Sequence, residues 1–440
     1  MFLIVLGYNG LIKPKREGSL NMLPSGVQPQ KTDIHPILPL YMVIATAFAG
    51  YGLMVALFIP MLIHDTGFFD KSVPTATRAI YGGILLALYP FGQFIGAPVI
   101  GSLADKFGRK RLLNISLVFT IFFYVVIAYA IDIRLLWLLM VACFLAGLTE
   151  SNVAICQSSI ADISTEEDRG RLFSYLYSFM SLGYFVGPLA GGQIAVHYGL
   201  STPFWIVIAL LIVVYIWVWT SFHDPYVPDK DKAISYFKTF TNLGTVFTDI
   251  PIRRVYLVNF LIYFGLFGVA RTITIYVVDE WNFSLDKVTL YYAIASAAAG
   301  ISNLFFFAPL ARRFSLRSIA IWSGIVGGIL LLIVVIPKSE YSIWFTSIPA
   351  FFVLMWAISA CGAYISTLVS PERQGQVLGN NLALQVGAES IGAALGGFLA
   401  AILLPLSVVT YGVAIIIGSL VLITYKKSDI RGSKIDEKQS

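Results

Sequence analysis

Charge is what this chain lacks most. Asp, Glu, Lys and Arg make up only 12% of its 440 residues, about half of the roughly 25% usual in soluble domains, which excludes a water-soluble globule. Cysteine is scarce too. Cys143, Cys156 and Cys361 fall inside apolar runs without CxxC spacing, which excludes a disulfide framework or thiolate zinc site and leaves them as small packing residues. The four histidines do not cluster, so no metal is expected. No GxxxxGK(S/T) loop is present and no catalytic triad stands out, so neither an enzyme nor a bound cofactor is expected. The formal net charge is +6, yet the cations lie in loops between apolar runs, where topology accounts for them, and no nucleic-acid partner is expected.

What remains is hydrophobic: 58% of residues are apolar and mean hydropathy is +0.80. The apolar runs are about 20 residues long, the length of a helix crossing a hydrocarbon core of about 30 Å, whereas barrel strands need only about 10 alternating residues. The expected fold class is an all-α polytopic membrane protein with twelve transmembrane helices, at 38–63, 80–103, 112–131, 135–161, 172–197, 203–222, 254–279, 288–310, 318–336, 343–368, 375–403 and 407–425. Most Lys and Arg fall on the side of both termini, which the positive-inside rule makes cytoplasmic. The chain then divides into a cytoplasmic arm 1–36, a six-helix bundle 37–222, a cytoplasmic linker 223–253, a second bundle 254–425 and a cytoplasmic tail 426–440. The start, Met1 to Gly7, lacks the basic residues and cleavage site of a signal peptide, and Met22 is an alternative start.

The two bundles repeat at an offset of roughly 205 residues. Leu103-Ala-Asp-Lys-Phe107 recurs as Leu310-Ala-Arg-Arg-Phe314, and Gly187, Gly191 and Gly192 are matched by Gly392, Gly396 and Gly397. Such a repeat implies a pseudo-two-fold axis along the membrane normal, with a site between the halves.

Charge concentrates in one place, the hairpin from Gly101 through Asp105, Gly108, Arg109 and Lys110 to Arg111. It reads either as a topogenic turn or as a gate latch in which Asp105 docks on a helix terminus while arginines pair with acids. Its residues fit the G-x-x-x-D-(R/K)-x-G-(R/K)-(R/K) signature, and from about Pro36 to Lys427 the chain resembles the major facilitator superfamily, within it the drug/proton antiporters of the tetracycline-efflux type. Gly183, Gly187, Pro188, Gly191 and Gly192 are similar to that group's G-x-x-x-G-P-x-x-G-G pattern. Glycines four apart share a helix face and admit a close backbone, so plain packing explains them equally well. Ser370-Pro371-Glu372 resembles the start of the group's eleventh span, with a cap, a first-turn proline and an acid for the dipole.

The resemblance implies that Asp105 approaches that helix start and that Arg109 reaches an acid at the end of the fourth span, here Asp162. It also implies a monomer, proton coupling, a central cavity lined by spans 1, 4, 7 and 10, and closing spans 2, 5, 8 and 11. One departure stands out: the group's fourth-span arginine is replaced by Cys143.

Three ionisable residues fall within spans: Glu150, Arg271 and Glu389. Each costs about 2.5–3.5 kcal/mol at the bilayer centre on insertion scales, so a functional site is the default reading. Glu150 shares a face with Cys143 and Gly147 and is the first choice for proton coupling. Glu389 follows Gln385 and Asn381 at four-residue intervals, a polar stripe that serves either an interhelical hydrogen bond or substrate coupling; its repeat counterpart is Tyr184. Arg271 either snorkels to the outer interface, pairs with a glutamate or clamps a substrate anion. Tyr89 and Gln93, with Tyr177, Ser181 and Tyr184, form stripes that read as packing or as an amphipathic substrate path.

The expected function is alternating-access, proton-coupled export of small amphipathic compounds such as drugs or siderophores across a cell (inner) membrane. Two other readings remain open: import of a nutrient such as an amino acid, with Arg271 and Glu150 holding the zwitterion, and a non-transporting receptor on the same fold.

Overall fold

The computed structural model describes residues 37–64, 67–150, 152–164, 166–224, 244, 246, 250–336, 339–369 and 371–424. The arm 1–36, nearly all of the linker, the tail 426–440 and Ser370 lie outside them. Among the described residues, twelve helices are long and apolar enough to cross a membrane: Leu38–Ile63, Thr75–Ala104, Arg109–Asp132, Leu136–Ile163, Tyr175–Tyr198, Thr202–Ser221, Ile252–Trp281, Leu285–Arg313, Leu316–Val334, Ser342–Ser366, Val377–Ile402 and Leu404–Thr424. The first and seventh are central, with 78% of their apolar stretch buried, against 33% for the sixth.

Local chemistry sets the ends. Pro39 and Pro203 stand in first turns, Pro74 precedes the second span, and Ser315 accepts the Ser318 N–H at 3.2 Å at the start of the ninth. The second helix ends at Phe107 and the third begins at Arg109, so the turn is the single residue Gly108, at φ +95°, where a side chain would be strained. We call this side the hairpin face and the other the far face.

Three spans depart from the sequence expectation. The second begins at Thr75 rather than at 80 because Arg78 belongs inside it. Its guanidinium donates to the carbonyls of Ile63, Asp70 and Val73 at 3.1–3.2 Å and so ties down the preceding loop. The fourth span is interrupted: one helix ends at Thr149, Glu150 leaves helical geometry at ψ +77°, and a second helix begins at Asn152. The eighth carries a π-helical segment, Ser302–Phe307.

The glycine repeat determines how the halves pack. A Cβ on Gly183 or Gly187 of the fifth span would strike the Ala45 or Ala49 carbonyl of the first. At the equivalent place, a Cβ on Gly392 of the eleventh span would lie 2.8 Å from the Gly268 Cα of the seventh. On their other side these helices reach across to the opposite half. A Cβ on Gly192 would strike the Thr289 side chain of the eighth span, and one on Gly397 would lie 2.7 Å from the Ala79 carbonyl and 3.0 Å from the Gly83 Cα of the second.

These crossings lie in the far-face part of the bundle, where His64 also reaches the Phe283 carbonyl at 3.2 Å. Towards the hairpin face the fifth span parts from its neighbour. Ser181 stands beside Gly300 of the eighth span, while Tyr177, one turn nearer that face, is 54% exposed. The described halves are thus closed at the far face and parted at the hairpin face.

This closure depends on the absence of a side chain at Gly83, whose Cβ would lie 2.7 Å from the Ala393 carbonyl. Gly83→Leu is expected to prise the halves apart on the far face, lengthening the distance between spin labels at Lys71 and Glu280. An unchanged distance distribution would show that this contact does not set the closure.

Candidate functional site

Where the two halves meet, side chains from both converge on Arg271. The Arg271 Nε donates to Glu389 Oε1 at 2.7 Å, and its Nη2 reaches the same oxygen and, at 3.5 Å, the Tyr184 hydroxyl. The guanidinium lies 4.6 Å from the Tyr51 ring centroid, and the Tyr51 hydroxyl donates to Glu389. Arg271 and Glu389 belong to the second half, Tyr51 and Tyr184 to the first. Arg271 is 4% exposed and Glu389 7%, so the snorkelling option for Arg271 is overturned: its charge is neutralised inside the bundle. Tyr184 and Glu389, equivalent by the internal repeat, meet on this one guanidinium from opposite sides of the molecule.

Tyr51 stacks on Tyr89 of the second span, with centroids 4.7 Å apart and planes at 20°. Tyr89 in turn donates its hydroxyl to Glu150. Glu150 is 2% exposed and stands at the break in the fourth span, where Ser116 donates to the freed Thr149 carbonyl at 2.6 Å and Asn152 donates to Thr120 at 3.3 Å. Discontinuous membrane helices place free backbone groups and side chains together at sites of this kind. Among the described residues Glu150 has a phenol for a partner and no cation, whereas Glu389 has the Tyr51 phenol and the Arg271 guanidinium.

Other residues singled out in the sequence fall elsewhere. Asn381 belongs to a separate tie between the eleventh and seventh spans: it accepts from Asn259 at 2.7 Å and donates to the Tyr263 hydroxyl at 2.8 Å. Gln385 and Gln93 are half-buried and, among the described residues, join none of these bonds. Ser181 bonds back to the Tyr177 carbonyl at 3.0 Å on the wall of the opening between the halves. Pro188 and Gly191 pack inside the first half, against Gly52 and Leu53 respectively.

At the hairpin face, Arg109 Nε pairs with Asp162 Oδ2 at 2.9 Å, joining the third span to the end of the fourth. Lys110 gives its backbone N–H to Asp224 at 2.9 Å. A Cβ on Gly101 would meet open space. The Asp105 side chain and the start of the eleventh span around Glu372 lie outside the described side chains.

Several members of these clusters are missed by sequence reasoning, among them Asn259 and Tyr263 beside Asn381, and Ser116, Thr120 and Asn152 beside Glu150; two matter most. Tyr51 is uncharged within an unremarkable apolar run, and its only signal is the flanking pair Gly50 and Gly52. The first makes room for Tyr124 and the second for Tyr184 and Pro188. Asp224 sits at the head of the linker, 114 residues from its partner.

The sequence matches the Major Facilitator Superfamily over residues 40–253 and 255–439. The class H tetracycline resistance protein of Pasteurella multocida is 34% identical over 143 residues, 32% of this chain and 33% of that protein, so the match spans about a third of that relative. The quinolone resistance protein NorA of Staphylococcus aureus is 25% identical over 364 residues, 82% of this chain and 89% of NorA. Among solved structures, a D-xylose-proton symporter superposes with a TM-score of 0.72 at 14% identity, covering 89% of this chain and 98% of that one. The human organic anion transporter MFSD10 does so at 0.68 and 16%, covering 90% and 100%. At such identities these structures show a common fold alone.

Removing one partner of a buried ion pair costs about 3–5 kcal/mol, because the other charge is left uncompensated, whereas replacing both by apolar residues costs far less. Arg271→Leu is therefore expected to lower thermal stability sharply, and Arg271→Leu with Glu389→Leu to recover most of the loss. A double variant no more stable than the single would show that the pair does not share its desolvation in this way.

Proposed function

Because the chain belongs to the Major Facilitator Superfamily, we propose that it is a secondary transporter, working by alternating access to export small amphipathic compounds in exchange for protons. Its hairpin face is the cytoplasmic one, both termini lie there, the membrane is a cell (inner) membrane and the working unit is a monomer. The tetracycline and quinolone resistance relatives support export, and the aromatic walls around Tyr177 and Tyr184 suit an amphipathic solute.

One observation carries the mechanism: the two buried glutamates have different company. Glu389 is matched by Arg271, so that pair is neutral as it stands and serves as a latch between the halves through Tyr51 and Tyr184. Among the described residues Glu150 has only the Tyr89 phenol, so a proton is the simplest means of neutralising it in a dry site. Glu150 is the proton carrier. The stacked pair Tyr89 and Tyr51 places its protonation state next to the latch, so loading or unloading Glu150 alters the contacts that hold the far face shut. At the hairpin face, the Arg109 and Asp162 pair braces the turn within the first half, and Asp105 docks on the start of the eleventh span to steady the alternative, closed arrangement.

A substrate screen in proteoliposomes under an imposed pH gradient, scored in both directions, tests the reading directly. For an active substrate, Glu150→Gln is expected to lose gradient-driven accumulation while keeping downhill exchange. Full accumulation by that variant would remove Glu150 from coupling. Asp105→Asn, well folded, is expected to slow transport at least about tenfold, the effect of a lost interaction of about 1.4 kcal/mol. Near-normal rates would return the hairpin to a purely topological role.

A further inference from the structure

Two neighbouring concavities on the outside of the first half take no part in the site above. One, of about 370 Å³, lies at the hairpin face between the Gly108 turn and the end of the sixth span, and is lined by Phe107, Lys110, Arg111, Asn114, Trp219 and Asp224. The other, of about 330 Å³, lies deeper between the second, third and fourth spans, with Val99, Leu103, Ile115 and Phe119 on its apolar walls. We propose that together they hold one anionic glycerophospholipid from the leaflet on that side, its phosphate on Lys110 and Arg111 and one acyl chain in the crevice.

The two spaces lie on either side of the lipid-facing line of the third span, on which Arg111 belongs to the first and Ile115 to the second. Ile115 is 43% exposed, Phe119 47% and Trp219 63%, on helices whose outward sides are apolar along their length. Arg111 and Ile115 stand one turn apart on one face of the third span, so a lipid lying along that face, its phosphate at Arg111, brings a chain past Ile115 to the crevice. From Lys110 to Phe119 the helix rises about 13 Å, at about 1.5 Å per residue. That fits within the roughly 15 Å of hydrocarbon in one leaflet, so a headgroup held at Lys110 places its chain at the depth of the crevice.

The crevice has a floor. Gly92 and Gly96 let the second span approach the fourth until a Cβ would strike the carbonyls of Phe144 and Leu148. It is therefore a seat for a chain and not a passage into the bundle.

Charge selects the headgroup. The Asp224 carboxylate accepts the Lys110 backbone N–H, and with Lys110 and Arg111 beside that one acid the groove has a net positive lining. Basic grooves between membrane helices on the cytoplasmic side recognise anionic headgroups, and an interfacial Trp such as Trp219 suits that depth.

The test uses the full chain in nanodiscs of equal phosphatidylglycerol and phosphatidylcholine, extracted and examined by native mass spectrometry. Wild type is expected to retain one phosphatidylglycerol in preference. Arg111→Gln should lower that retention about fivefold, the usual effect of one cation at a membrane surface. Ile115→Trp, which fills the crevice and leaves both cations in place, should lower it as well. Equal retention of the two lipids by wild type, or unchanged retention in both variants, would overturn the proposal. So would protection of Lys110 from amine acetylation that persists in lipid-free detergent, since the chain itself would then cover the groove.

Discussion

Everything at the centre of this molecule depends on burying a guanidinium and a carboxylate together in a medium that tolerates neither alone. An unpaired charge there costs several kcal/mol, and the pairing of Arg271 with Glu389 removes most of that penalty only while the geometry is kept. Tyr51 and Tyr184 complete that geometry, and both come from the opposite half. The ion pair is intramolecular to one bundle, yet its remaining hydrogen-bonding capacity is met only when the two bundles are together. A polar core of this kind holds a membrane protein's halves in one register without the hydrophobic drive available in water.

The second carboxylate lives under a different rule. Glu150 sits where the fourth helix stops and restarts, so backbone groups that would be internally bonded in a continuous helix are available around it. A charge without a counter-charge can be resolved by protonation, one with a counter-charge need not be. In the proposed mechanism the two glutamates divide the work of titration and of holding, and they are linked through a single pair of stacked rings.

The architecture was legible because length and composition report depth: runs of about 20 apolar residues admit one interpretation, and the offset repeat fixes the two-bundle plan. Depth is not direction. The sequence placed Arg271 near the outer end of its span but could not say which way it points, which is why snorkelling remained an option. Its partner is 118 residues away on another helix. The break at Glu150 was equally hidden, since no proline marks it and its flanks, Thr149 and Asn152, are compatible with a helix. Tyr51 carries no charge to draw attention to it. What the sequence did show were residue types that are costly in lipid, and the structure gathers Arg271, Glu389, Glu150, Tyr89 and Tyr184 into one chain of contacts while leaving Asn381, Gln385 and Gln93 outside it.

The meeting of Tyr184 and Glu389 on one arginine has an energetic consequence. Were the two repeats identical, exchanging their conformations would give the state open to the opposite side at the same free energy, and the resting molecule would show no preference. A neutral phenol at one position and a carboxylate at its symmetry mate lift that degeneracy. The difference is concentrated in one cluster, so under the proposed proton coupling a change of a single proton in its neighbourhood is of the right size to tilt a balance of a few kcal/mol between the two orientations.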